Sequence, residues 1–261
     1  MSMPSLLGVF AHPDDESLSA GGVLACHAQA GARTGVVTAT WVQDTPRAAE
    51  LGQALRILGA GTPRLLGYAD ARVPESAPGC PRLVKAPLEE AVHRLVAQLR
   101  EFRPEVVITH DAHDAHGGLS GDPDHVHTHR ITVLAVHAAG LDQLYPDTGP
   151  AWQPQAGYSV THPHSELAAH RGLVGRRKAV HTVPDEQVTA SVDVAEWLGV
   201  KTAAVLAHRS EVQRGGLPAQ LGALDPVARR ELFGTEHFLR HAVGHLPAVE
   251  REPIAQPVTA G

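Results

Sequence analysis

The run Ala11-His12-Pro13-Asp14-Asp15-Glu16 places one imidazole and three carboxylates directly after an apolar stretch. A hydrolytic zinc site uses three nitrogen or oxygen ligands from the protein and keeps one position for water. It also needs a base beside that water that stays ionised near neutral pH. His12 and Asp15, three residues apart across a turn, suit two of the ligands, and Asp14 then projects beside the water. Each acid taken singly reads equally well as a cap or dipole partner for a following helix. Only the combination after an apolar strand points to chemistry.

The third ligand is expected from Asp122-Pro123-Asp124-His125-Val126-His127-Thr128-His129. Asp122 reads as a helix N-cap and Pro123 as the first helical residue. His125 and His129 share one helix face, while His127 points elsewhere. A metalloprotease HExxH helix is excluded, because Val126 stands where its Glu is required. For any one histidine here the competing reading is a solvated or packed side chain. The chain has 18 histidines, and the concentration between His110 and His137 allows a third reading, a histidine-rich metal store holding several ions.

Both clusters need strands to carry them. Ser5–Phe10, Thr34–Thr40 and Glu105–Thr109 read as short buried strands, and further strands are expected near Tyr158–Thr161 and Gln187–Val192. Helices are expected over Ser17–Ala30 (weakened by Gly21 and Gly22), Arg47–Leu58, Leu88–Leu99, Pro123–Ala139 and Asp193–Ala207. This alternation predicts an α/β fold, a mostly parallel open sheet with helices on both faces. Ligands of such sheets bind beyond the carboxyl ends of the strands, where both clusters lie. The 261 residues read as one domain over 1–245, with an exposed connection at about 143–157 and a C-terminal tail at 246–261.

A net charge of −6 argues against a nucleic-acid binder and offers no polybasic membrane anchor. The N-terminus lacks a basic signal-peptide region, and no segment reaches transmembrane length. Cys26 and Cys80 form no CxxC pair and read as reduced thiols of a cytoplasmic protein. Gly59-Ala60-Gly61 is followed by Arg64 where a dinucleotide fingerprint needs glycine, so that fingerprint fails.

The Ala-His-Pro-Asp-Asp-Glu run, followed by a Gly-rich loop into Pro123-Asp124-His125, resembles the PIG-L/LmbE-like deacetylases. Gly21-Gly22, Arg47-x-x-Glu50-Leu51, Leu66-Gly67-Tyr68 and Lys201–Ser210 extend the resemblance over most of the chain. It implies a Rossmann-like fold without nucleotide binding and removal of acetyl groups from N-acetylglucosamine-type substrates. By the same resemblance His12, Asp15 and His125 are ligands of one Zn2+ per chain, Asp14 is the general base, and Arg47 faces the substrate. The expected partner is a small soluble amino-sugar conjugate, with no nucleic acid and no membrane; related proteins often assemble, which allows a homo-oligomer.

The chain departs from the family pattern at Asp122, where many members have a histidine credited with protonating the leaving amine or stabilising the tetrahedral intermediate. Either Asp122 takes that role, or it only caps the helix and His110, His113 or His116 supplies the proton. Glu211 likewise stands where a glutamine is common. The departure at Asp122 keeps a rival reading open, a metal- or carbohydrate-binding protein of the same fold with reduced or lost activity.

Overall fold

The computed structural model describes residues 3–113, 121–174 and 181–243. The chain runs β1 (Leu6–Phe10), α1 (Asp15–Gln29), β2 (Thr34–Thr40), α2 (Pro46–Leu58), β3 (Arg64–Tyr68), α3 (Leu88–Phe102), β4 (Val106–Thr109) and α4 (Pro123–Ala139). It continues through β5 (Ala156–Thr161), α5 (Leu167–Val174), β6 (Ala190–Asp193), α6 (Leu198–Ala207), α7 (Arg209–Gln213), α8 (Leu217–Ala223), α9 (Pro226–Phe233) and β7 (Thr235–His241).

The strands form one seven-stranded sheet in the order β3-β2-β1-β4-β5-β7-β6. The first five are mutually parallel, and β7 runs antiparallel to both β5 and β6. The chain winds outward from β1 through β2 to β3. It then crosses back through α3 to lay β4 on the other side of β1, with Leu6 opposite both Thr34 and Val106. That reversal opens a crevice between the carboxyl ends of β1 and β4, the usual place for a ligand in this architecture.

Side-chain parity along β1 separates the two faces. Leu6 and Phe10 pack with α1, α2 and α6, whereas Leu7 and Val9 pack with α3 and α4. Every residue of β1, β2 and β4 is buried, as expected where helices cover both faces.

Local signals account for the helix ends. Thr45 caps α2 by accepting from Ala48 N, Pro46 opens it, and Gly59 closes it at φ 72°. Asp122 caps α4, accepting from Asp124 N at 2.9 Å, with Pro123 at the first position.

The structure shifts several boundaries. Ala156 and Gly157, expected in an exposed connection, are the buried start of β5, so the connection ends at Gln155. The strand expected at Gln187–Val192 is Ala190–Asp193, and the last long helix begins only at Leu198 after a 3-10 turn. β3, α5, β7 and the short helices α7 to α9 have no counterpart among the elements expected from the sequence. The tail at 246–261 lies outside the described residues.

Candidate active site

The turn after β1 is pinned from both neighbouring strands. Ala11 O accepts from Thr40 N and Oγ1 at 3.0 and 2.7 Å, and Ala11 N donates to His110 Nε2 at 3.0 Å. The chain then bends so sharply that Asp14 takes φ 126°, a conformation costly for any residue with a Cβ. Glu16 holds the bend: its carboxylate accepts from Asp14 N at 3.0 Å and lies 2.9 Å from His208 Nε2. Burial works against charge on both partners, yet each holds the other ionised. Glu16 lies below the ordinary carboxylate range and His208 above the ordinary imidazole range.

His12, Asp15 and His125 each bring one ligand atom within 4.8 Å of the others. His12 Nδ1 lies 3.2 Å from His125 Nε2 and 3.4 Å from Asp15 Oδ2, and His125 Nε2 lies 3.3 Å from Asp15 Oδ1. Bonds of about 2.0–2.1 Å to a tetrahedral ion put ligand atoms about 3.3 Å apart; the two imidazole nitrogens meet that spacing, and Asp15 meets it with a different oxygen toward each ring, Oδ2 also accepting from His12 N at 2.7 Å. The other nitrogen of His12, Nε2, faces carboxylates, 3.3 Å from Asp124 Oδ2 and 3.5 Å from Asp70 Oδ2. That arrangement holds a ring proton on Nε2, so that Nδ1 is the nitrogen open to a metal once a bound ion displaces the proton there.

The surroundings favour positive charge. Asp14, Asp15, Asp70, Asp122 and Asp124 are all buried here. Burial opposes charge on the His12 ring, but Asp124 and Asp15 outweigh it and raise the pKa to about 10. Burial likewise opposes charge on Asp15, but His125 and His110 hold it well below the usual carboxylate range. Beside the triangle, burial pushes Asp14 up to about 7 against the pull of the Arg47 guanidinium, with Asp15 adding to the rise. A carboxylate poised near neutrality is suited to take and return a proton.

The comparisons agree with this geometry. A family model described as PIG-L: GlcNAc-PI de-N-acetylase matches residues 7–136. The 1D-myo-inositol 2-acetamido-2-deoxy-alpha-D-glucopyranoside deacetylase of Rhodococcus jostii is 34% identical, over 97% of this chain and 97% of its own. The chain belongs to the PIG-L family. Among solved structures, a conserved protein from Thermus thermophilus superposes with a TM-score of 0.64 at 26% identity, covering 96% of this chain and 100% of that one. The N,N'-diacetylchitobiose deacetylase of Pyrococcus horikoshii also reaches 0.64, at 17% identity over 91% of this chain and 84% of its own, and shares the fold. PIG-L deacetylases are metal-dependent, in keeping with the donor triangle.

Several site residues take positions in this PIG-L chain that spacing could not give. Arg47 is buried, and both terminal nitrogens are engaged inside the protein. Nη2 donates to Asp14 Oδ1 at 2.9 Å and to Pro13 O, and Nη1 pairs with Glu211 Oε1 at 3.0 Å. Its guanidinium also lies 4.9 Å from the Trp41 ring centroid. Arg47 therefore clamps the proposed base as well as lying beside the crevice, and Glu211 completes the clamp.

Asp122 pairs with Arg72 Nη1 at 3.2 Å in addition to capping α4. His110 is stacked on His125 with ring centroids 4.0 Å apart, and its Nε2 already accepts from Ala11 N. His113 is exposed, and His116 lies outside the described residues. The sequence reading missed Asp70, Arg72, Asp124 and the Glu16–His208 pair. The available signal for Asp70 and Arg72 was the apolar Leu65-Leu66 just ahead of them, which belongs to β3.

Proposed function

We propose that this chain is a zinc-dependent N-deacetylase of a small, soluble N-acetylglucosamine conjugate, with His12, Asp15 and His125 holding the ion. The observation that carries this reading is the cluster of His12, Asp15 and His125, with one ligand atom of each within 4.8 Å of the others and Asp14 next to Asp15 in the turn. The Rhodococcus relative is named as the deacetylase of an inositol 2-acetamido-2-deoxy-glucopyranoside, an N-acetylglucosamine-inositol conjugate, which supports a soluble glycoside as substrate. When bound, zinc supplies Lewis acidity that makes water a better nucleophile and polarises the acetamido carbonyl.

The remaining work falls to the chain's own groups. Asp14 accepts the proton of the attacking water, held in line by Arg47. Asp122 accepts from Asp124 N at the start of α4 and pairs with Arg72. Asp14, having taken the proton of the water, hands it on to the departing amine. A cytoplasmic setting is supported by Cys26 and Cys80, both free thiols. Among the described residues no helix is long and apolar enough to cross a membrane.

The test compares wild type with Asp14→Ala, measuring zinc content beside acetate release from soluble N-acetylglucosamine conjugates. The expected outcome is unchanged zinc with activity reduced at least 100-fold, within the usual range for a general base (about 10²–10⁴-fold). Activity that survives in a zinc-loaded Asp14→Ala chain removes Asp14 as the base. A zinc-loaded wild type that binds the sugar and releases no acetate makes the chain a binding protein instead.

A further inference from the structure

One strand further along the sheet, the carboxyl end of β5 carries a second cluster of metal-ligating side chains that the reaction above does not use. The chain leaves β5 at Thr161, passes His162, makes one 3-10 turn over His164–Glu166 and enters α5. His162, Glu166 and His170 each place one ligand atom within 4.8 Å of the others. The His162 and His170 rings lie with centroids 4.1 Å apart, tilted by 53° to one another, and His170 is buried.

The surrounding hydrogen bonds sort the oxygens of Glu166. Ser191 Oγ lies 2.9 Å from His237 Nδ1, and His237 Nε2 lies 2.9 Å from Glu166 Oε1. The Glu166 carboxylate can only accept, so His237 Nε2 carries the ring proton and donates to Oε1, and Nδ1 accepts from the Ser191 hydroxyl. That fixes the carboxylate and leaves Oε2 turned to His170 Nε2, at 3.3 Å. A charge-assisted N–H···O contact is about 2.7–2.9 Å, and the His237 contact is of that kind. The His170 contact, at 3.3 Å, is a longer hydrogen bond, and its length also equals the ligand-to-ligand edge of a tetrahedral ion.

We propose that His162, Glu166 and His170 form a second, structural site for a divalent transition-metal ion of the zinc class, with His237 and Ser191 orienting the carboxylate. Two imidazoles and one carboxylate suit such an ion, whereas calcium and magnesium prefer oxygen ligands throughout. The ion joins the end of β5 to α5, and through His237 to β7, so it braces the segment beside the catalytic crevice. The competing arrangement is a metal-free ion-pair network centred on Glu166.

The full-length chain is dialysed against zinc, and bound metal is counted by elemental analysis. Wild type is expected to hold two ions, Glu166→Gln and His170→Ala one each, Asp15→Ala one, and Asp15→Ala with Glu166→Gln none. Zinc is expected to raise the Tm of Asp15→Ala and to leave the Tm of the double variant unmoved, since an ion stabilises only a chain that binds it. If His170→Ala does not fold, the half-buried His162→Ala takes its place with the same expected count. A single ion in wild type that Glu166→Gln keeps, two ions retained in Glu166→Gln, or more than two ions insensitive to all these changes each overturns the second site. Because this readout is metal content and Tm, it stands whether or not the chain releases acetate.

Discussion

At His12 the two ring nitrogens are given different tasks by two different acids. Nδ1 points at Asp15 and His125, while Nε2 is held by Asp124, which is completely buried. Asp124 Oδ2 also accepts from Ala71 N at 2.7 Å, and Oδ1 has no hydrogen-bond partner among the described residues. Asp124→Asn keeps the shape and an acceptor for Ala71 N but removes the charge behind His12. Outer partners of metal-bound histidines are typically worth about 10–100-fold in metal affinity or activity, and that loss is expected here. Chelator competition for zinc, run beside kcat/KM, measures it; values within about twofold of wild type would reduce Asp124 to a brace for residue 71. The three residues that the structure brings together were legible, because His12, Asp15 and His125 sit in compact motifs at strand ends. Their supports were not. Asp70 arrives from β3, and nothing in the run 122–125 tells which of two nearby acids turns inward until α4 sets their directions.

Helices were read best where apolar residues recur on one face, as in α3, and less well where packing overrides local preference. Gly21 and Gly22 weaken α1 as a sequence, yet the structure requires Gly22: a Cβ there would lie 2.4 Å from Val194 Cβ. Close approach of another segment, which no helix propensity records, explains that residue. The connection after α4 gives the opposite case, a stretch that reads as loose but is tied down from a distance. Arg100, buried near the end of α3, donates to the carbonyls of Ala139, Leu141, Leu144, Tyr145 and Gly149 and to Thr148 Oγ1 at 2.6–3.2 Å. A single planar fork thus satisfies the end of α4 and the turns that follow it. Lysine has too few donors to replace that fork. Arg100→Lys is therefore expected to cost about 2–4 kcal/mol in urea unfolding, from several carbonyls left without partners. Limited proteolysis should also cut faster within 140–149. A change under about 0.5 kcal/mol would mean that water satisfies those carbonyls as well as the guanidinium does.

Across the whole molecule, the five parallel strands form a unit wound from β1, and β7 then inserts between β5 and β6, closing the sheet with a late part of the chain. The sequence hid β7 because its inward face, alternating as a strand should, begins with a buried acid, Glu236, before Phe238. Hydrophobic alternation cannot reveal a strand whose core-facing side includes a carboxylate. The structure explains the acid. Helix α1 is interrupted at Ala20, where φ is −142°, which exposes backbone N–H groups just beyond the break. Glu236 accepts from Gly22 N at 2.8 Å and Val23 N at 2.9 Å, so it caps the second half of α1. Lys201 of α6 pairs with the same carboxylate at 2.8 Å, with both side chains only 2% exposed. One buried carboxylate therefore joins the first helix, the last described strand and α6. Lys201→Met removes the cation and leaves that charge without its counter-ion, a change that typically costs about 3–5 kcal/mol. Glu236→Gln added to Lys201→Met removes the stranded charge and keeps an acceptor for one of the α1 N–H groups. The double variant is therefore expected to be more stable than Lys201→Met alone. Denaturant unfolding of the two single variants, the double variant and wild type measures the coupling. Additive losses would show that Glu236 acts on α1 and Lys201 on its own surroundings, with no tie between them.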